Sequence, residues 1–107
     1  MSKERVRHWV EEVGMFTDGI LEKQMQKIAE EVVECSIEVA KDQITLSNLN
    51  NVKSEFGDIL FSAYVGCMMS GLDPDECLRA ACDKNDKRIG FGRMVNGSFV
   101  KAEDLTK

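Results

Sequence analysis

The sequence predicts an all-α protein with a four-helix bundle core and a short C-terminal β-hairpin. Apolar residues recur at intervals of three and four through most of the chain, which is the spacing of one helix face. A single proline interrupts these patterns in 107 residues. Near the C-terminus an Asn-Gly pair separates two short β-prone runs, which is a strong signal for a hairpin. We expect one domain spanning residues 1–107, with a helical core at about 3–88 and the hairpin at about 92–101.

Composition and charge exclude several classes of function. The formal net charge is −5, whereas proteins that bind nucleic acid through its phosphates carry a basic face. No apolar run approaches the roughly 18 residues of a membrane span, and the N-terminus lacks the apolar core of a signal peptide. The four cysteines form no CxxC pair and the chain has one histidine, which argues against a zinc site. We therefore expect a cytoplasmic protein that binds neither nucleic acid nor a membrane.

The first two predicted helices cover about residues 3–16 and 19–41. In the second helix, apolar residues alternate steps of three and four over about three heptads, which is typical of a buried seam. The seam consists of Leu21, Met25, Ile28, Val32, Cys35 and Val39. A charged stripe lies about 60 to 160° around from the seam at 100° per residue, so its acids flank the core. This stripe consists of Lys27, Glu31, Glu34 and Glu38.

The polar segment 41–51 predicts a loop, in which Ser47 caps a third helix at about 48–70. From Glu55 onward this helix is largely apolar all round, which is typical of burial on more than one face. In so small a domain we expect the second face to meet another subunit, so the chain is predicted to form a homodimer or a homotetramer. An Asp-Pro pair begins a fourth helix at about 73–88.

Two acidic pairs are the strongest candidates for chemistry. Glu31 and Glu34 lie three residues apart on the second predicted helix and share a face. Glu55 and Asp58 have the same spacing on the third. If the two helices pack antiparallel, four carboxylates converge on one small volume. Like charges so close repel strongly unless cations lie between them, and Mg²⁺ prefers carboxylate and water oxygens. The sequence therefore predicts a Mg²⁺ site that Mn²⁺ can also occupy.

The competing interpretation is that these acids form solvated helix faces. Charge runs on helices usually do, and for the string at 30–34 alone this interpretation is the better one. The second pair changes the balance. Asp58 is followed directly by an apolar run, where an ionised carboxylate is costly without a cation. Solubility alone does not account for two such pairs beside the apolar faces of separate helices.

The acidic pattern resembles that of the MazG-like all-α nucleoside triphosphate pyrophosphohydrolases. It consists of EExxE at 30–34 and, roughly twenty residues later, ExxD at 55–58. The glycine before Asp58 and the apolar run after it also look like the third helix of that family. The resemblance covers about residues 20–95. It implies that the Mg²⁺ ligands are Glu31, Glu34, Glu55 and Asp58. It also implies that the catalytic residues are Glu30 and Glu34, with Glu30 either supporting the ligands from behind or orienting water.

The resemblance implies hydrolysis of a nucleoside triphosphate, with a deoxynucleotide expected, to a monophosphate and pyrophosphate. Carboxylate-held Mg²⁺ suits this reaction because it neutralises phosphate charge and activates water. Such an activity would serve control of the nucleotide pool. Two alternatives stay open. One is a phosphoribosyl-ATP pyrophosphatase, which has related chemistry and a similar acidic motif. The other is a non-catalytic helical dimerisation or regulatory module, which would show no Mg²⁺-dependent binding of nucleotides.

Four further residues are expected to bind the substrate. Lys84 and Arg88 share a helix face where the family places basic residues for the phosphates. The alternative is that they are only favourable cations at a helix C-terminus. Asn85 is a candidate for contact with a base or ribose. Trp9 is either a core residue of the first helix, which is the commoner role at its spacing, or a platform on which the base stacks.

Overall fold

The computed structural model describes residues 2–41 and 48–105. It is mostly helical with one two-stranded antiparallel sheet, as the sequence predicts. The chain forms two compact units, Met1–Pro74 and Asp75–Lys107, which are described separately. Within the described ranges, no helix is long and apolar enough to cross a membrane. The elements are α1 (Ser2–Val13), α2 (Met15–Asp18), α3 (Leu21–Lys41), α4 (Leu49–Met69), α5 (Pro74–Asp86), β1 (Gly92–Val95), β2 (Ser98–Lys101) and α6 (Ala102–Leu105).

Helices α3, α4 and α5 lie where the sequence predicts the second, third and fourth helices, within about two residues at each end. The first predicted helix is divided. α1 ends at Val13, and Gly14 has φ +82°, a left-handed conformation that glycine adopts without strain and that ends helices. The predicted loop is also too long, because residues 49–51 already belong to α4. Its remainder at 42–47, including the predicted cap Ser47, lies outside the described residues.

The first unit is organised around α4, which packs against α3 and against α1. The core between α1 and α4 is built from buried aliphatic and sulfur-containing side chains: Val6, Val10, Val65 and Met68. These α1 residues are spaced by four and the α4 residues by three, so each pair lies on one face of its helix. α1 therefore covers one face of α4, and a second face of α4 packs against α3.

Helices α3 and α4 are antiparallel and approach closely. Gln24 Nε2, near the start of α3, donates a hydrogen bond of 2.9 Å to the backbone carbonyl of Ser62, in the second half of α4. Gly66 permits the approach, since a Cβ at this position would lie 3.2 Å from Ile28 Cδ1. The antiparallel pairing expected from the acidic motifs is therefore present, and it places the end of α3 beside the start of α4.

The predicted seam of α3 is only partly buried. Cys35 is buried and Ile28 is half-buried, but α3 also turns the polar Gln24 and Glu31 toward α4. The contact face is thus rotated by about 50° from the predicted seam. The seam is wider than one neighbouring helix can cover, which leaves four of its residues exposed: Leu21, Met25, Val32 and Val39.

The second unit contains α5, the hairpin and α6. β1 and β2 pair antiparallel, with Val95 opposite Ser98. Asn96 and Gly97 connect them with φ of 49° and 83°, the left-handed pair that a two-residue turn matching strand twist requires. The predicted hairpin is confirmed. Packing of a fourth helix into one bundle stays a prediction, because α5 (Pro74–Asp86) belongs to this second unit.

Candidate metal centre

Carboxylates of three residues from two helices meet at one point. Glu31 and Glu34 lie on α3 and Glu55 lies on α4. One carboxylate oxygen from each lies within 4.8 Å of the other two. The spacing of three residues places the α3 pair on one face, and the antiparallel packing brings the second turn of α4 beside it. Three of the four predicted Mg²⁺ ligands therefore come together, and we call them the acidic triad.

Glu31 is the most buried acid of the triad. Its side chain is 7% exposed, and its Oε1 accepts a hydrogen bond of 2.9 Å from Lys27 Nζ, one turn earlier on α3. The pKa of Lys27 is raised, first by this hydrogen bond and then by the negative charge of Glu31. Buried carboxylates are stable only when a cation compensates them. One lysine charge compensates one carboxylate of the three, so the triad keeps an excess of negative charge.

Glu55 contributes an oxygen that lacks a hydrogen-bond partner. Among the described residues, its Oε2 is the one buried side-chain nitrogen or oxygen with no such partner. The pKa of Glu55 is raised, first by burial and then by the charges of Glu34 and Asp58. An unpaired buried acceptor is unfavourable, and a cation bound to it removes the cost. The donor set of the triad is oxygen only, which fits a hard cation such as Mg²⁺.

The other predicted acids lie around the triad. Asp58 is exposed and stands outside it, although its charge acts on Glu55 and its side chain lines the same cavity as Glu31. Glu30 is exposed and is not one of the triad. Glu38 is half-buried and its charge also raises the pKa of Glu55. The sequence pattern placed Glu38 on the charged stripe of α3 but did not predict it as a site residue. Its position on the same stripe as Glu31 is the signal that could have indicated its place near the site.

A cavity of about 310 Å³ opens beside the triad. Its wall includes the charged side chains of Lys27, Glu31 and Asp58 and the aromatic rings of Trp9 and Phe61. Trp9 is 41% exposed and packs edge-to-face on Phe61, with ring centroids 5.0 Å apart. Trp9 is therefore not the core residue that its spacing favours. Aromatic rings and two carboxylates therefore share one cavity, in which the rings could stack on a flat ligand and a cation bound by the acids could attract an anionic group.

The basic candidates lie in the second unit. Lys84 is in the last turn of α5, and Arg88 follows that helix. Arg88 Nη1 donates to Asn85 Oδ1 at 3.4 Å, while Asn85 Nδ2 donates to the carbonyl of Ala81 at 2.8 Å. Both ends of the Asn85 amide are thus engaged locally. Contact of these residues with a substrate stays a prediction, because the acidic triad belongs to the first unit.

One comparison with known proteins gives a match. The profile of the phosphoribosyl-ATP pyrophosphohydrolase family matches residues 3–85, which include the acidic triad, Lys27 and Trp9. No curated protein and no solved structure matches the chain. The matched family is part of the MazG-like all-α nucleoside triphosphate pyrophosphohydrolase superfamily, so the resemblance is confirmed at the level of the superfamily. The finer assignment to MazG itself is not supported by the match.

Proposed function

Because the chain belongs to the phosphoribosyl-ATP pyrophosphohydrolase family, we propose that it hydrolyses a phosphoribosyl-ATP-like substrate in a Mg²⁺-dependent reaction. Members of this family are hydrolases that act on phosphoric anhydrides. In the proposed reaction, water adds across the anhydride bond between the α- and β-phosphates and releases a monophosphate and pyrophosphate. The family match favours this alternative over the main prediction of a deoxynucleoside triphosphate substrate.

The observation that supports the proposal is the acidic triad with its unpartnered oxygen. Glu31, Glu34 and Glu55 would hold the ion, and Asp58 is a further acid on the wall of the cavity beside them. When bound, Mg²⁺ neutralises charge on the phosphate oxygens, which is the main requirement of phosphoryl-type transfer. A solvated acidic face does not explain a buried carboxylate oxygen without a donor.

The remaining roles belong to side chains of the chain itself. The reaction needs a carboxylate that is not fully engaged with the ion to accept the proton of the attacking water. Glu34 is the exposed member of the triad and Glu30 is exposed beside it in sequence, so these two are the candidates. Trp9 offers its ring for stacking with the adenine base. Lys84 and Arg88 are proposed to bind phosphates as cations.

Pyrophosphate release from phosphoribosyl-ATP and from a panel of canonical deoxynucleoside triphosphates tests the proposal. We expect kcat/KM for phosphoribosyl-ATP to exceed that for each deoxynucleotide by about 100-fold or more, because the site would contact the second ribose phosphate. EDTA should abolish turnover. Glu34→Gln should lower kcat by about 10²-fold or more, whereas Glu22→Gln, an exposed acid of the same helix, should leave it unchanged.

Three results would contradict the proposal in different ways. Equal or faster turnover of a deoxynucleotide would restore the substrate predicted first. Turnover that persists in EDTA would reject the metal. Absence of turnover, together with absence of Mg²⁺-dependent nucleotide binding by calorimetry, would favour the non-catalytic helical module.

A further inference from the structure

Lys27 compensates the most buried acid of the site. Its Nζ lies 2.9 Å from Glu31 Oε1, and the Glu31 side chain is 7% exposed. Helix geometry alone does not favour this pair, because a lysine four residues before a glutamate is the weaker order of the two. The ion pair instead follows from burial, since a carboxylate removed from water requires a cation.

The two partners differ in how freely they can move. The Lys27 side chain is 53% exposed, and its flexible four-carbon stem carries a compact ammonium group. Glu31 is buried on the face of α3 that meets α4. The cation at Glu31 is therefore exchangeable, whereas the carboxylate is fixed.

An ion held by the triad would compete with Lys27 for this carboxylate. Glu31 is one of the three acids whose oxygens lie within 4.8 Å of one another, so a divalent ion there would stand next to the ammonium group. Like charges that close repel strongly where water is partly excluded. Lys27 also lines the cavity beside the triad. An ammonium group displaced from Glu31 can therefore stay at that cavity.

We propose that Lys27 is an exchangeable counter-cation, which compensates Glu31 until a divalent ion binds and then moves to the phosphate chain of the substrate. The inference rests on the proposed function, because it requires the triad to bind the ion. The proposal implies that the divalent ion binds before the phosphates of the substrate, since Lys27 becomes available for phosphate only after the ion has replaced it at Glu31.

Lys27→Met tests the inference, with Lys23→Met as the matched control on an exposed position one turn earlier in α3. In EDTA, Lys27→Met should lower the thermal unfolding midpoint, because Glu31 is left buried without a cation. Adding Glu31→Gln to Lys27→Met should recover most of the loss, because position 31 then carries no buried charge. Lys23→Met should unfold at the wild-type midpoint, and Lys27→Arg, which keeps the charge, should stay close to it.

Calorimetric titration with MgCl₂ alone gives a second readout that is independent of activity. Lys27→Met should bind Mg²⁺ about three- to tenfold more tightly than the wild type, because the competing charge is gone. In steady-state assays at saturating Mg²⁺, the same variant should raise KM by about tenfold with little change in kcat, because a phosphate contact is lost. Lys23→Met should match the wild type in both measurements.

The outcomes separate this inference from the proposed function. If the wild type binds Mg²⁺ but Lys27→Met matches Lys23→Met in midpoint and Mg²⁺ affinity, Lys27 is an ordinary surface residue and only this inference fails. Weaker Mg²⁺ binding by Lys27→Met would overturn it too, since Lys27 would then support the ion. An unchanged KM would reject the transfer to phosphate and the inference with it. A wild type that neither binds Mg²⁺ nor releases pyrophosphate would overturn both.

Discussion

Glu55 illustrates how one residue can carry a cost to folding that the proposed metal site would explain. Its Oε2 is buried without a hydrogen-bond partner, and burial together with neighbouring acids raises the pKa of its carboxyl. An amide or an apolar side chain would avoid both the burial of charge and the repulsion from Glu34. An acid at this position is what the proposed cation site would require.

Glu55→Gln should therefore change the pH dependence of stability. The folded protein holds the Glu55 proton above the ordinary pKa of 4.5, so it binds more protons than the unfolded chain just above that pH. The unfolding free energy in EDTA consequently falls as pH rises from about 4.5 through the raised folded-state pKa of Glu55, and the glutamine variant lacks this contribution. Urea unfolding between about pH 4 and pH 7 should show the variant more stable at the upper end only.

The same variant should lose turnover while it gains stability, with kcat lower by about 10²-fold or more. Glu22→Gln is the control in both measurements, because Glu22 is exposed on α3. Parallel pH profiles for the wild type and Glu55→Gln would show that burial of Glu55 has no energetic consequence.

For single residues, the spacing of acids in the sequence predicts that the triad comes together. It does not predict that Asp58 lies outside the triad. Glu55 and Asp58 are three residues apart, which places both on one edge of α4. That edge is wider than the strip that α3 covers, so Glu55 is half-buried while Asp58 is exposed. Periodicity within one helix cannot reveal such a difference, because it depends on where the neighbouring helix lies.

At the scale of elements, periodicity predicts which segments are helical but not which neighbour covers each face. The apolar seam of α3 is real, yet the contact with α4 uses Gln24, which an apolar pattern excludes. Its amide is satisfied by the backbone carbonyl of Ser62, so a polar residue is buried there without penalty. The break at Gly14 was readable in principle, since glycine is a weak helix former.

Two glycines of α4 give a prediction about the packing of this helix, in which one substitution is the control for the other. A Cβ at Gly57 would meet nothing within 4 Å, so Gly57→Ala should raise the unfolding free energy by about 0.5–1 kcal/mol through helix propensity. A Cβ at Gly66 would lie 3.2 Å from Ile28 Cδ1. The increase in unfolding free energy should therefore be smaller for Gly66→Ala than for Gly57→Ala, by about 0.5 kcal/mol or more, because Ile28 must shift. Urea unfolding checks both, and equal effects would show that α3 and α4 do not approach closely at Gly66.

At the scale of the whole molecule, the sequence predicts the reaction class better than the substrate. The acids are proposed to serve a step that related pyrophosphohydrolases share, and EExxE at 30–34 with ExxD at 55–58 indicates the superfamily that the family match supports. The choice of substrate would depend on the walls of the proposed binding cavity, which come from separated positions such as Trp9 and Phe61. No short sequence motif specifies that arrangement. The family match over 3–85 favours a phosphoribosyl-ATP-like substrate over the deoxynucleotide predicted first.

Exposed apolar side chains on α3 and α4 bear on assembly. On each of these helices, a stripe of exposed apolar residues lies within an arc of about 40°, taking 100° per residue. Viewed along each helix from its N-terminus, the stripe lies on the same rotational side of the α3–α4 contact. In antiparallel helices this places them on one side of the pair. Together they expose on the order of 700 Å² per chain, close to the roughly 800 Å² that each partner buries in a stable interface. The stripes consist of Leu21, Met25, Val32 and Val39 on α3 and Leu49, Phe56 and Leu60 on α4.

We therefore propose that a second copy of the chain covers these stripes, which would complete a bundle of two helix pairs. Light scattering after gel filtration should give at least twice the chain mass of 12.0 kDa. Leu60→Glu should shift the protein to a monomer, because it would bury an unpaired charge in the apolar interface. Val13→Glu is the matched control, since Val13 is 50% exposed but lies on α1, outside both stripes. A monomeric wild type, or dissociation by both variants alike, would contradict this mode of assembly.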